Sequence, residues 1–252
     1  MKPPSYVPYR LVPGSPPELV VHDEPQACPY LEGRIARLPL RIPARALTRA
    51  ELDQRLSAGD RRQGIFFYHT DCPRCTACEP IRIDVSKFEP RRTQRRAWER
   101  NSKLLRVELG PPRVDEQRVL LYNRHKEQRG LGAGRTAIDL EGYREFLVLT
   151  SCDTFELRYF LGEQLVGVAL VDRGEDALSA VYCYYEPDHQ RLSLGTYSIL
   201  KQIELCRDWG LRYLYLGLYI ADSAHTSYKA DFVPHERLLG GEWVTIGGEA
   251  PA

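Results

Sequence analysis

The sequence predicts an α+β chain, α/β-like towards its C-terminus, with a small cysteine-bearing domain over residues 1–90 and a larger domain over residues 91–252. Three observations lead there. The runs TFELRYFL, QLVGVALVDRG and ALSAVYCYY follow one another with turns at Gly162-Glu163 and Arg173-Gly174, the pattern of a hairpin-connected antiparallel meander. TYSILKQIELCRDWG then repeats its apolar residues at helical spacing, and the strand-like LRYLYLGLYI follows, so the helix is a crossover to a parallel neighbour. Upstream, three cysteines crowd a loop between the strand-like segments GIFFYHT and IRIDVSKF.

Residues 1 to about 45 are proline-rich and irregular, carrying Cys28-Pro29-Tyr30-Leu31 and a basic-apolar alternation, RIARLPLRI, that suits an edge strand. A helix is expected from Thr48 to Ala58, because Thr48 and Glu51 have the spacing of a capping box. A basic helix is expected from Thr93 to Leu105, with Trp98 pinning one face to the core, and VDEQRVLLYNRHKEQRG reads as a second amphipathic helix ending at a glycine. DLEGYREFLVLT reads as a further helix, and the strand pattern begins after Ser151.

Composition narrows the class. Of 252 residues, 43% are hydrophobic and 27% charged, the balance of a soluble enzyme, and no apolar run approaches the ~20 residues a bilayer demands. Prolines occupy the N-terminus where a signal peptide would place an apolar helix, so a cytoplasmic protein with no membrane partner is expected. The net charge is only +1, yet residues 87–106, KFEPRRTQRRAWERNSKLLR, are strongly basic; they suit either phosphate tracking or a solvated helix face. Seven cysteines cannot all pair, and Cys72-Pro-Arg-Cys75-Thr-Ala-Cys78 is too tight for a disulfide framework and typical of metal ligation in a reducing compartment. Cys28 is a possible fourth ligand. The set suits zinc or an iron-sulfur cluster, the alternative being reduced thiols that stabilise the loop without metal. Cys152, Cys183 and Cys206 fall on apolar faces as core residues.

The segment Arg191 to Thr196 lies between a strand and a helix, where Gly195 and a helix N-terminus offer free N–H groups to an anion. It resembles the pyrophosphate loop of the GNAT acyltransferase superfamily, with Gln190 or Arg191 opening the pattern, though its glycines are too few for a clean match. Three longer stretches carry more: HTDCPRCTACEPIRIDVSKFEPRRTQRRAWERN, LSAVYCYYEPDHQRLSLGTYSILKQIELCRDWGLRYLYLGLYI and SYKADF. In this order they resemble the N-end-rule aminoacyl-tRNA-protein transferases, bacterial leucyl-transferases and arginyl-transferases, over roughly Cys28 to Trp243.

The resemblance implies a GNAT-like transferase domain that takes an amino acid held as an ester on tRNA and joins it to a protein beginning with Asp or Glu, marking that protein for degradation. An ester is already activated, so positioning, oxyanion stabilisation and proton transfer suffice and no cofactor is required for the chemistry. The compact chain and the cysteine spacing favour leucine as donor; arginyl transfer, coenzyme-A-dependent acetyl transfer and a non-enzymatic RNA-binding module are the rivals. Arg92, Gln94, Arg95, Arg96 and Asn101 match the family's basic motif and are candidates for the tRNA acceptor stem or the acceptor's carboxylate. Tyr182, Tyr184 and Tyr185 alternate on a strand beside the expected cleft, with Tyr182 and Tyr185 the candidates for proton relay or oxyanion donation. Tyr228 and Lys229 match a Tyr-Lys pair, Tyr228 for substrate and Lys229 for catalysis, although Asp231 stands where relatives carry a basic residue. Arg191, Ser193, Gly195 and Thr196 complete the binding set, and the family's cysteine-then-tyrosine at Cys28 and Tyr30 supports grouping Cys28 with Cys72, Cys75 and Cys78. His189 and His225 border the same loops as lesser candidates for a general base.

Overall fold

The computed structural model describes residues 10–130 and 137–247. The chain opens with β1 (Arg10–Val12), β2 (Glu18–His22), the short pair β3 (Gln26–Ala27) and β4 (Ile35–Ala36), β5 (Leu40–Pro43) and helix α1 (Arg49–Ser57). Strands β6 (Arg61–Gln63), β7 (Phe66–Tyr68) and β8 (Glu79–Asp84) precede helix α2 (Arg92–Leu104), β9 (Leu105–Gly110), α3 (Glu116–Gln128) and the single turn α4 (Leu140–Tyr143). The rest comprises β10 (Thr154–Leu161), β11 (Gln164–Arg173), β12 (Ala177–Tyr185), α5 (Leu194–Asp208), β13 (Tyr213–Tyr219), β14 (His235–Leu239) and β15 (Glu242–Ile246).

The fold is mixed α/β. Eight strands form the main sheet in the order β15-β14-β8-β13-β12-β11-β10-β9, antiparallel except where β12 and β13 pair in parallel across α5. Strand β8 precedes residue 91 in the sequence but lies between β13 and β14. A second, antiparallel sheet runs β1-β2-β5-β7-β6. The main sheet is covered on both faces: Leu194, Leu200 and Ile203 of α5 meet Val166, Ala169 and Val171 on one side, whereas Leu121 and Tyr122 of α3 meet Leu165, Val168 and Leu170 on the other. That double cover explains why QLVGVALVDR runs apolar without a break.

Local expectations hold in several places. Thr48 and Glu51 form the reciprocal cap of α1, and Trp98 of α2 packs on Tyr197 of α5 with ring centroids 5.5 Å apart. Two readings are corrected. RIARLPLRI is not an edge strand: its first part pairs as β4, and β5 lies between β2 and β7 because buried Arg41 is neutralised by Glu18 and Asp60, so its charge does not mark solvent. DLEGYREFLVLT is only briefly α-helical; Leu140–Tyr143 widens into a π-helical turn at Arg144–Val148.

The two sheets are joined by an ion pair. Arg62 of β6 donates from Nε and Nη2 to the two carboxylate oxygens of Asp172 on β11 at 2.7 and 2.8 Å, and from Nη1 to the Gly64 carbonyl at 2.7 Å. Thr154 Oγ1 donates to the same carboxylate at 2.7 Å, and the Arg62 and Asp172 side chains are 2% and 1% exposed. Removing one member strands a buried charge. Asp172→Ala should therefore cost about 3–5 kcal/mol in a chemical denaturation midpoint analysis; a loss under about 1 kcal/mol would show that this junction contributes little.

Candidate active site

A cavity of about 620 Å³ opens where β12 and β13 part company. Their parallel pairing spans only Ala177↔Tyr213 to Ser179↔Tyr215. Beyond it the strands diverge, so residues 180–183 line one wall and residues 216–218 the other. Gly217 sits at a register break against β8 with φ +90°, a conformation that suits glycine and carves a notch in the cavity wall.

The first turn of α5 borders the cavity. Gly195, expected at the end of a loop, lies within the helix: a 3₁₀ turn at Pro187–Leu192 leads through left-handed Ser193 (φ 49°), and α5 starts at Leu194. Ser193, Gly195 and Thr196 all line the cavity, and the Ser193 side chain makes no capping bond. A helix N-terminus thus presents free amide N–H groups and a positive dipole end to whatever enters.

Lys229 and Tyr228 come from a 3₁₀ turn at Ser227–Asp231. Lys229 Nζ donates to the Leu218 carbonyl at 2.7 Å, and desolvation in the cavity wall with repulsion from Arg61 brings its pKa down to about 7. Tyr185 receives a bond from Arg129 Nη1 at 2.7 Å, and His125 of α3 packs against its ring, burial lowering the His125 pKa to about 4. Tyr182 lines the cavity beside Phe146; burial raises its phenol well above the ordinary range, so it enters as a neutral donor. Tyr184 does not line the cavity: it is fully buried and its hydroxyl is bonded to that of Tyr143.

The basic motif divides in two. Arg92, Arg95 and Arg96 lie on the exposed face of α2. Gln94 and Asn101 are 4% and 0% exposed; Gln94 lines a groove at the start of α2, and Asn101 faces inward. Gln94 Nε2 donates to the Asp231 carbonyl at 3.2 Å and Asn101 Nδ2 to the Leu192 carbonyl at 2.5 Å. They fasten α2 to the turns that carry Lys229 and Ser193. A groove of about 260 Å³ along the start of α2 meets the cavity at Ser193, Thr196 and Tyr228, and Tyr228 is 41% exposed there. Arg191 is exposed and His189 half-buried, both outside the cavity lining, whereas His225 lies within it.

Arg61, Arg62, Arg129 and Lys229 line the cavity together with aliphatic and aromatic side chains, and no Asp or Glu joins them among the described residues. Sequence alone does not single out Arg61, Arg129 or His125, and it marks Tyr30 only beside Cys28. Arg61 and Arg62 lie between the expected helix and the strand-like GIFFYHT, and His125 is four residues from Leu121 on an apolar helix stripe, so none carries a distinguishing signal.

Cys28, Cys72, Cys75 and Cys78 gather around a second, small pocket. Backbone N–H groups of Leu31 and Arg37 donate to the sulfurs of Cys28 and Cys72 at 3.4 and 3.5 Å, and Arg34 Nη1 to Cys75 at 3.6 Å. Burial and the three neighbouring thiols push Cys78 up to about 12. Number, softness and N–H donors fit a thiolate-held metal, although no three His, Cys, Asp or Glu among the described residues already stand as a closed ligand group. Tyr30 lines both this pocket and the cavity.

Residues 26–96 match the N-terminal family model of arginine-tRNA-protein transferase and residues 117–239 its C-terminal model. The aspartate/glutamate leucyltransferase of Chromobacterium violaceum is 39% identical over 88% of this chain and 91% of its own, and that of Thiobacillus denitrificans 38% identical over 87% and 91%. The solved structure of FemX overlaps 76% of this chain and 65% of its own at 10% identity and a TM-score of 0.45. The chain belongs to the aminoacyl-tRNA-protein transferase family, enzymes that move an amino acid from tRNA to a protein N-terminus. None of its described helices is long and apolar enough to cross a membrane.

Proposed function

We propose that this enzyme transfers leucine from charged tRNA to cytoplasmic proteins that begin with Asp or Glu, marking them for N-end-rule degradation. The cavity lining supports the reading: the guanidinium groups of Arg61 and Arg129 among aliphatic and aromatic side chains suit an apolar donor side chain and an anionic acceptor, whereas an arginyl donor would meet like charge. On this reading a GNAT-like transferase domain begins near residue 91, and the preceding segment, which adds β8 to its sheet, is the cysteine-bearing domain that helps to read the acceptor.

The chemistry needs no covalent intermediate. The acceptor's α-amine attacks the ester carbonyl, a C–N bond forms, and the C–O bond to the ribose breaks. Lys229, with its pKa near 7, takes the proton from the amine as neutral lysine and returns one to the leaving ribose oxygen. Ser193 and the N–H groups at Gly195 and Thr196 face the oxyanion, while Tyr182 and Arg129-bonded Tyr185 donate around it. Tyr228 stacks the terminal base of tRNA at the junction of cavity and groove, and Arg92, Arg95 and Arg96 follow the acceptor stem outward. Arg191, exposed near the start of α5, extends the same phosphate path.

Incubation with Leu-tRNA and an Asp-initiated peptide should yield labelled product, and labelling from Arg-tRNA alone would reverse the donor assignment. Product formation should rise with pH through about 7, since the lowered Lys229 pKa makes the amine neutral above that value and protonated below it. A flat profile from pH 6 to 8 at fixed peptide amine ionisation would remove Lys229 from the proton path.

Charged-tRNA binding provides a separate check. Arg95→Ala with Arg96→Ala should reduce the slope of log affinity against log salt by roughly one to two, because fewer counterions are released; an unaltered slope would return both residues to the solvated face.

For the four cysteines we propose a structural zinc or iron-sulfur site that holds the Cys28 and Cys72–Cys78 loops together. Anaerobically purified protein should contain stoichiometric metal, and Cys72→Ala with Cys75→Ala should lose it; metal-free wild-type protein of equal thermal stability would leave the thiols as simple packing groups.

A further inference from the structure

Five arginines are buried among the described residues: Arg41, Arg61, Arg62, Arg82 and Arg118. Four sit on carboxylates, Arg41 with Glu18, Arg62 with Asp172, Arg82 with Glu236 and Arg118 with Glu156. Arg61 is the exception. It is 8% exposed, no Asp or Glu of the described residues lies within ion-pair distance, and Asp172, whose charge it feels, is taken up bidentately by Arg62. A buried guanidinium with no anion is costly unless a ligand supplies one.

The place that Arg61 faces is shaped for such a ligand. Its Nη2 lies 3.0 Å from the position a Cβ would take at Gly217, and Lys229 Nζ lies 3.4 Å from the same position. Any side chain at 217 would fill the notch. The phenols of Tyr30 and Tyr68, hydrogen-bonded to each other, stand beside the guanidinium.

We propose that Arg61 is the residue that reads the acceptor: its guanidinium binds the side-chain carboxylate of the acceptor's first residue in the notch over Gly217, which brings the α-amine beside Lys229. This rests on the transfer reading above and adds the identity of the specificity determinant. In Asp and Glu the carboxylate is only two or three carbons from the amine-bearing carbon, and Arg61 and Lys229 converge on the same position over Gly217, so a carboxylate held by Arg61 leaves the amine within reach of Lys229. An isosteric amide, as in Asn or Gln, offers Arg61 no charge and would leave the buried cation unpaired.

The test is a rate comparison with four peptides that differ only in their first residue, Asp, Asn, Glu or Gln, using Leu-tRNA as donor. Wild-type enzyme should favour each acid over its amide by roughly 100-fold or more in kcat/KM. Arg61→Gln should bring the acid down to the level of the amide, chiefly through KM, so that the ratio approaches one, and Arg61→Lys should give an intermediate ratio. The ratio is independent of how much of a variant is folded. If Arg61→Gln is inactive on all four peptides, Arg61→Lys decides: a narrowed ratio supports the assignment and an unchanged ratio overturns it. An unchanged ratio in Arg61→Gln, whatever its overall rate, also overturns it while leaving the transfer reading intact. Wild-type enzyme that modifies none of the acidic peptides would overturn the transfer reading and this assignment together.

Discussion

Arg62 and Asp172 meet where the smaller sheet abuts the main one, and much else follows from that bond. Arg61 and Arg62 are neighbours on β6, so tying Arg62 to Asp172 also fixes the place from which Arg61 reaches Gly217 and the cavity. Asp172 is positioned in turn by Thr154, on the adjacent strand, and Arg62 holds the Gly64 carbonyl at the turn into β7. One buried pair therefore fixes the docking of two sheets and the place of an unpaired cation. Such a pair adds little net stability over a well-packed apolar contact, but it is intolerant of displacement, which suits a wall that must stay in register with Lys229.

The cavity itself comes from an interrupted parallel pairing. Three residue pairs hold β12 to β13, and the separation beyond them exposes strand backbone that would otherwise be bonded. The α5 N-terminus borders that space because the crossover helix starts beside the end of β12. Gln94 and Asn101 then act from behind, each giving its amide to a backbone carbonyl in a turn that shapes the cavity. Asn101, fully buried, supports the site without facing it, whereas Gln94 also lines the groove at the start of α2.

Much of this was legible in the sequence and some was not. The meander, the crossover helix and the parallel strand followed from periodicity alone, because both faces of β11 are buried and its apolar run is unbroken. The same signal failed at Leu40–Pro43, where a buried arginine looked like a solvent-facing one: charge patterns reveal exposure only when the counter-charge is near in sequence, and Glu18 and Asp60 are not. The cluster of Tyr182, Tyr185, Ser193, Gly195, Thr196, Tyr228 and Lys229 around one cavity was reachable through strand order and motif. Arg61 was not, since what distinguishes it is the lack of a partner, a property of three dimensions only.

Tyr30 stands in the wall of the cysteine pocket and in the wall of the larger cavity. Its backbone belongs to the turn closed by the Leu31 N–H on the Cys28 sulfur, and its phenol reaches Tyr68 beside Arg61. A single side chain is thus a lever with its fulcrum at the thiols. Any rearrangement of the sulfurs that shifts the Cys28–Leu31 turn is felt as a displacement on the far side of the ring, so the chemical state of the cysteines and the shape of the cavity floor are not independent variables in this molecule.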